Sequence, residues 1–356
     1  MKSPDVIIAG GGIIGLSVAL ELRRRGAAVL VLERGEPGQE ATSAAAGMLA
    51  ATDPETPAAL RTLCSASARL YTEFVQRIES SSGMGVDFRT QGTIKLMAED
   101  TSLPPAYRRL SPDERQQMEP SLKTSLEAFF VQEDSVDPSL LIQAALLTAW
   151  STGVDVRNQS EVTEIVTAGP YAEVVAGGER MQVPNFVDCR GAWSAPPVRP
   201  RKGHSLYVAP KKSLLQHVLV SPDVYLVPRS TGQILIGATV EDVGYDKTVQ
   251  ANIVQKLRLA ANMLIPELGA ATEVESWAGL RPGTPDDLPL LGATQARGIF
   301  IASGHFRNGI LLAPVTAQIM ADLVTGKRPQ WDISAFSPLR FTGSGETKTQ
   351  RAPQNS

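Results

Sequence analysis

The opening of the chain constrains it most. Val6 to Ala9 is an apolar run of strand length, and glycines follow at Gly10, Gly12 and Gly15. Ile14, Val18 and Leu22 then recur at the four-residue step of a helix face, which Gly26 ends. A second apolar run, Ala28 to Leu32, closes on Glu33. Strand, glycine turn, helix, strand and acid in this order predict a βαβ unit that grips a dinucleotide. Gly10 permits the tight turn, Gly12 lets a pyrophosphate approach the backbone, and Gly15 lets helix and strand pack closely. The first helical residues, Ile13 and Ile14, offer unpaired N–H groups to the phosphates. Glu33 stands where a carboxylate holds a ribose 2′-hydroxyl, which selects an unphosphorylated adenosine ribose. These residues alone leave FAD and NAD open.

The remaining totals narrow the class. A chain of 356 residues has room for two domains or one large one. Its net charge of -3 and pI of about 5.8 argue against a nucleic acid or an anionic membrane as partner. Cys64 and Cys189 have no CxxC spacing, and His204, His217 and His305 do not cluster, so no metal site is expected. The start lacks the charged and apolar regions of a signal peptide, and no apolar run reaches the roughly 18 residues of a membrane span. A cytoplasmic protein is the expectation.

Further along, residues 42–50 are dense in small side chains that let backbone approach something flat. A helix is expected from Thr56 to Ile78, with Thr56-Pro57 as its start, and another from Pro138 to Trp150 capped by Asp137. A short helix is expected near Ser111–Met118. Gly92–Met97, Ala128–Val131, Val154–Val156, Val162–Val166, Ala172–Ala176 and Met181–Val187 read as strands. The last leads to Gly191 and Trp193, where glycine again suggests backbone near a ligand. Residues 195–203, rich in proline and basic side chains, look like a crossover between domains. Strands follow at His204–Val208, Leu215–Val220, Val224–Val227 and Ile234–Ile236, and a turn at Thr231-Gly232 draws Tyr225 near Ile236. A helix over Thr248–Leu264, an extended stretch at Glu273–Arg281, a strand at Ile299–Gly304 and a helix over Ile310–Val324 complete the pattern. Residues 341–356 read as a disordered tail.

Four stretches beyond the fingerprint carry a resemblance: Thr42–Leu49; Val224–Arg229 with Gly237-Ala238-Thr239; Trp277–Thr284; and Gly304–Pro314. With them the chain resembles the D-amino-acid-oxidase-like family of flavoenzymes, and within it the glycine-oxidase branch associated with thiamine thiazole synthesis. The resemblance spans residues 5–330. It implies an α/β, α+β two-domain fold, with a Rossmann-like FAD-binding domain of the glutathione-reductase type and a second domain built on an antiparallel sheet. The FAD domain would be discontinuous, comprising 1–87, 139–203 and 287–340. The substrate domain would comprise 88–138 and 204–286. It also implies non-covalent FAD, O2 as oxidant with release of hydrogen peroxide, and a homotetramer.

Residue by residue, Arg281 matches the arginine that clamps a substrate carboxylate, and Tyr225 the tyrosine that also bonds it. Arg307 matches a second arginine near the flavin. Gly47 and Met48, with Ala45 and Ala46 beside them, match the stretch flanking the isoalloxazine. Thr42 and Ser43 match contacts toward the pyrophosphate. Val162 matches the residue whose backbone meets adenine, and Arg34 follows the ribose-binding acid. Gly304 to Leu311, which includes His305, Phe306, Arg307, Asn308, Gly309 and Ile310, matches the loop and helix start at the flavin pyrimidine edge. The chemistry is coherent: a guanidinium fork suits a planar carboxylate, and holding it places the α-carbon for hydride transfer to the flavin. Three departures stand out. Asp223 replaces a histidine, Val240 a methionine, and Arg190 interrupts a stretch of small residues. An enzyme acting on sarcosine, proline or a D-amino acid, a dehydrogenase rather than an oxidase, and a non-catalytic flavin-binding partner remain alternatives.

Overall fold

The computed structural model describes residues 3–98 and 103–341; the tail expected from 341 lies outside the described residues apart from Phe341. The chain enters as β1 (Val6–Ala9), passes into α1 (Ile13–Arg24) and returns as β2 (Val29–Leu32). Both strands are buried at every position, as continuous apolar runs require when both faces are covered. A single 3₁₀ turn at Ala58–Leu60 leads into α2 (Arg61–Ser82), so this helix starts and ends later than its apolar periodicity suggested. Pro57 precedes the 3₁₀ turn, and Gly83 stops the helix in the left-handed conformation.

Next come β3 (Phe88–Arg89), β4 (Thr93–Met97), β5 (Arg108–Arg109) and α3 (Pro112–Met118), the last set by a capping box between Ser111 and Glu114. β6 (Glu127–Val131) and β7 (Ser135–Val136) precede α4 (Pro138–Ser151), where Asp137 accepts the N–H bonds of Ser139 and Leu140 as expected of a cap. β8 (Asp155–Arg157), β9 (Val162–Ala168), β10 (Tyr171–Ala176), β11 (Glu179–Val183) and β12 (Asn185–Asp188) follow. β13 (Arg199–Ala209), β14 (Val218–Val220), β15 (Tyr225–Pro228) and β16 (Ile234–Gly237) lead to α5 (Ala251–Leu264). β17 (Thr272–Gly283), β18 (Leu290–Ala293), β19 (Ile299–Ser303) and α6 (Gly309–Val324) finish the core.

These elements form two principal sheets. One has six strands in the order β18-β19-β12-β1-β2-β8, parallel except for β18, which runs against β19. Helices α1, α2, α4 and α6 share one apolar core with it, and the β11-β10-β9 sheet covers the other face through Ile7, Leu30 and Leu32. The other principal sheet has eight strands in the order β17-β13-β16-β15-β14-β4-β6-β5. It is antiparallel except between β14 and β4.

The crossover is shorter than the sequence suggested. β13 begins at Arg199, inside the expected 195–203 connector, because Arg199 to Ala209 pair along β17 from Gly283 to Thr272. Lys202 in that strand is fully buried, its charge met by Asp246 at 3.0 Å. Arg229, also buried, ties the eight-stranded sheet to β7 and to the small-residue stretch at Ala46. It donates to the carbonyls of Ala46 (2.7 Å) and Val136 (3.2 Å) and to the Tyr207 hydroxyl (3.1 Å). Among the described residues, no helix is long and apolar enough to cross a membrane.

The fingerprint glycines are not equivalent. A Cβ on Gly15 would lie 1.9 Å from the Gly10 carbonyl oxygen, whereas one on Gly12 would lie 3.2 Å from the Thr42 hydroxyl. Gly15→Ala must therefore part α1 from β1. It is expected to lower the melting temperature by about 5 °C, a cost of roughly 2 kcal/mol, and by clearly more than Gly12→Ala. Equal melting of the two variants would contradict this packing.

Candidate active site

One cavity of about 2290 Å³ runs between the two principal sheets. At one end lies the turn after β1. Gly10 has φ of +106°, and a Cβ there would meet the Cys189 carbonyl at 2.3 Å, so only glycine closes this turn. The Ile13 N–H donates to the Thr42 hydroxyl at 3.1 Å, which brings the small-residue stretch against the helix start. Glu33 is fixed by two backbone N–H groups, Gly11 at 2.7 Å and Gly35 at 3.0 Å, one on each oxygen. A carboxylate so held keeps lone pairs for sugar hydroxyls. The side-chain-free approach at Gly12 and the fixed Glu33 suit a dinucleotide. Arg190 turns back on Asp188, with Nε at 3.0 Å and Nη2 at 2.8 Å, so this departure is an internal ion pair.

The eight-stranded sheet roofs the cavity, and two of its side chains lie flat on it. Tyr225 is in register with Gly237, and a Cβ on Gly237 would sit 2.6 Å from the Tyr225 ring and hydroxyl. A Cβ on Gly203 would sit 2.1 Å from Nη1 of Arg281. The two glycines are thus platforms over which the phenol and the guanidinium lie. Arg281 Nη1 donates to the Thr239 carbonyl at 3.0 Å, and among the described residues no carboxylate pairs with it. Its charge is free to meet an incoming anion. Gly279 serves the floor instead: a Cβ there would meet Ala44 at 2.4 Å, and Trp277 Nε1 donates to the Ala44 carbonyl at 3.2 Å.

Most residues singled out from the sequence line this cavity: Gly10, Gly12, Ile13, Ile14, Glu33, Arg34, Thr42, Ala45 to Met48, Val162, Gly191, Trp193, Tyr225, Arg281 and His305 to Ile310. Three do not. Gly15 is spent on helix–strand packing, Ser43 donates its hydroxyl to the Glu40 carbonyl, and Leu311 is buried, its carbonyl held by Ser67. Two others stand differently than expected. Arg307 is tied at 3.0 Å to Glu55 and is 42% exposed, so its charge is already met at the mouth. The His305 ring is 2% exposed and turned to Thr316 on α6, Nε2 to Oγ1 3.1 Å. Burial pushes its pKa down to about 3, so it is neutral.

Sequence reasoning missed the glycine platforms, Arg229, and a polar wall on the same cavity. In that wall Lys95 Nζ lies 3.1 Å from Asp53, and Glu133 accepts from the Thr52 N–H at 2.7 Å and hydroxyl at 2.6 Å. Burial raises the Glu133 carboxyl above the usual carboxylate range. The only signal for Lys95 was its place in the alternating strand Gly92–Met97; Lys95, Val220 and Tyr225 stand side by side on adjacent strands. Asp223 lines the cavity from an exposed loop, as does Val240.

A family model described as FAD dependent oxidoreductase matches residues 5–323. Glycine oxidase of Geobacillus kaustophilus is 33% identical over 367 residues, which cover 95% of this chain and 97% of that protein. Bifunctional protein ThiO/ThiG of Trichormus variabilis is 34% identical over 366 residues, covering 96% of this chain and 56% of the relative, so the chain spans about half the length of these bifunctional proteins. The solved glycine oxidase of Geobacillus kaustophilus superposes with a TM-score of 0.90 at 32% identity, covering 96% and 99% of the two chains. Iminodiacetate oxidase of Chelativorans sp. BNC1 gives 0.85 at 26% identity, covering 94% and 98%.

His305 carries its own test. The unfolded chain takes a proton near pH 6.5 that the folded chain refuses until about pH 3, so stability is lost as pH falls through that window. His305→Gln keeps a polar partner for Thr316 without this penalty. Its melting temperature should fall less than the wild type's between about pH 6.5 and 4, and parallel curves would contradict the buried neutral ring.

Proposed function

We propose that this chain, which belongs to the FAD dependent oxidoreductase family, is an oxidase of glycine and other small amino acids, sarcosine and small D-amino acids among them. In this reading glycine, O2 and water give glyoxylate, ammonia and hydrogen peroxide. The likeness to ThiO/ThiG proteins supports a place in thiamine biosynthesis, in the cytoplasm. The single observation that carries the reading is that Arg281, which pairs with no carboxylate among the described residues, and Tyr225 each lie on a glycine platform and line one cavity that also holds the dinucleotide cradle.

FAD, when bound, accepts the hydride that the amine's α-carbon gives up. The chain's own contribution is position and field. Arg281 takes the substrate carboxylate through its fork of donors, and Tyr225 adds a directional O–H bond. Fixing the carboxylate fixes the α-carbon, so the alignment is largely set on binding. Gly10 to Ile13, Glu33 and Thr42 would hold the nucleotide end, and residues 44–48 would flank the ring. The N-terminus of α6, open to the cavity at Gly309 and Ile310, would favour negative charge on a group held beside it. Reaction of the neutral amine requires no base from the chain, in keeping with the buried His305.

Segments 1–87, 139–203 and 287–340 would carry the cofactor, and 88–138 with 204–286 the substrate. Non-covalent attachment is supported by the absence of Cys and His from residues 41–50 and by the His305 ring facing α6. The family likeness supports a homotetramer. The polar wall of Lys95, Asp53 and Glu133 favours a second reading, oxidation of a secondary amine with a polar substituent.

Purified protein mixed with glycine, sarcosine, D-alanine and D-proline tests the reading through flavin bleaching and peroxide. Glycine and sarcosine should bleach the flavin and yield peroxide, whereas bleaching without peroxide would mark a dehydrogenase. Arg281→Met should keep its FAD and lose about 100-fold in kcat/KM for glycine, about 3 kcal/mol for a charge-assisted pair. Unchanged turnover in Arg281→Met would remove the carboxylate clamp from the account.

A further inference from the structure

The connection from β16 to α5 is pinned at both ends and crosses the cavity between them. At its start Glu241 and Lys202 exchange both backbone hydrogen bonds at 2.9 Å, and the Glu241 carboxylate meets His204 Nδ1 at 2.9 Å. At its end the Gln250 N–H donates to His204 Nε2 at 3.2 Å. In between, the buried Lys202 holds Asp246. All three anchors belong to β13.

The middle of the connection reaches the nucleotide end. The Tyr245 hydroxyl donates to the Ala192 carbonyl at 3.0 Å, and its ring lies against Trp193 with centroids 5.8 Å apart. Lys247 Nζ lies 3.2 Å from Glu40. Glu40 also accepts from Arg34 at 2.7 Å, and the Arg34 guanidinium lies 3.6 Å over the Trp193 ring. The ring of contacts is therefore closed: Tyr245, Trp193, Arg34, Glu40, Lys247. It joins three separate chain segments. All five side chains line the cavity, and Arg34 directly follows Glu33.

We propose that this ring is a clasp over the adenosine half of the dinucleotide, and that FAD enters and leaves by its opening. The inference rests on the FAD reading above and adds Tyr245 and Lys247, from the roof, to the residues that retain the cofactor. The links suit a part that opens. Lys247 is 47% exposed and Glu40 30%, and exposed ion pairs of this kind contribute about 0–1 kcal/mol each and weaken with salt. Lys202 and His204 on β13 are buried and hold the connection in place, so the clasp opens at the exposed Lys247–Glu40 pair and the Tyr245 contacts.

The test is the rate at which holoenzyme releases FAD on dilution, read by the rise of free-flavin fluorescence. Lys247→Glu, which sets two carboxylates together, should release FAD about tenfold faster. Lys247→Arg, which keeps a cation against Glu40, should release FAD within about threefold of wild type. Raised salt should speed release from the wild type and lose that effect in Lys247→Glu. Tyr245→Phe, which keeps the ring and loses only the bond to Ala192, should release FAD about threefold faster. Melting of the apoproteins separates a clasp from a folding defect, since the variants should melt with the wild type. Equal release rates in wild type, Lys247→Glu and Tyr245→Phe, a Lys247→Arg variant as fast as Lys247→Glu, or a salt-independent wild type would overturn the clasp. Purified protein that takes up no FAD at all would overturn the functional reading itself.

Discussion

Arg281 lines the cavity as a cation that pairs with no carboxylate among the described residues, and the roof is shaped around it. Such a charge is costly unless water, carbonyls or a ligand meet it. The Thr239 carbonyl meets one nitrogen. The rest of the fork is left for an anion, and Gly203 keeps it low against the sheet by offering no side chain to displace it. Gly237 does the same for Tyr225. A β-sheet normally stands its side chains upright, so two polar groups laid flat over neighbouring strands call for gaps in the pattern, and the glycines are those gaps.

This roof works only against a floor held at a fixed height. Three contacts set it. Gly279 admits Ala44, Trp277 bonds its carbonyl, and Arg229 ties Ala46 and Val136 to Tyr207. Gly47 belongs to the same seam, since a Cβ there would overlap the Val136 carbonyl at 1.9 Å. The small-residue stretch after Glu33 is thus clamped from both sides while its backbone faces the cavity. Nucleotide cradle, floor and roof come from distant parts of the chain, and their alignment depends on backbone approaches that only small residues permit.

Much of this was legible in the sequence where the signal is local. The fingerprint from Val6 to Glu33 names its own fold because strand, turn and helix are adjacent, and Asp137 announces α4 by its cap. Arg281 and Tyr225 emerged through family likeness, and the structure brings both to one cavity. Pairwise geometry was not legible. Nothing in the residues around Gly203 and Gly237 tells that each lies under a side chain from a neighbouring strand. β18 escaped notice because Leu290–Ala293 is short and follows a proline-rich loop. The basic residues of 195–203 read as a crossover between domains, yet Lys202 is buried in β13, its charge met by Asp246 far along the chain. His305 and Arg307 sit in the matched loop, but their orientation depends on Thr316 and Glu55.

The central claim is that substrate is gripped by its carboxylate. Titrating the holoenzyme with acetate and, separately, with methylamine while following the flavin absorption band tests it most directly. The account predicts that acetate perturbs the spectrum and competes with glycine, and that methylamine neither binds nor reduces the flavin. Reduction by methylamine at a rate comparable to glycine, with acetate silent, would contradict it.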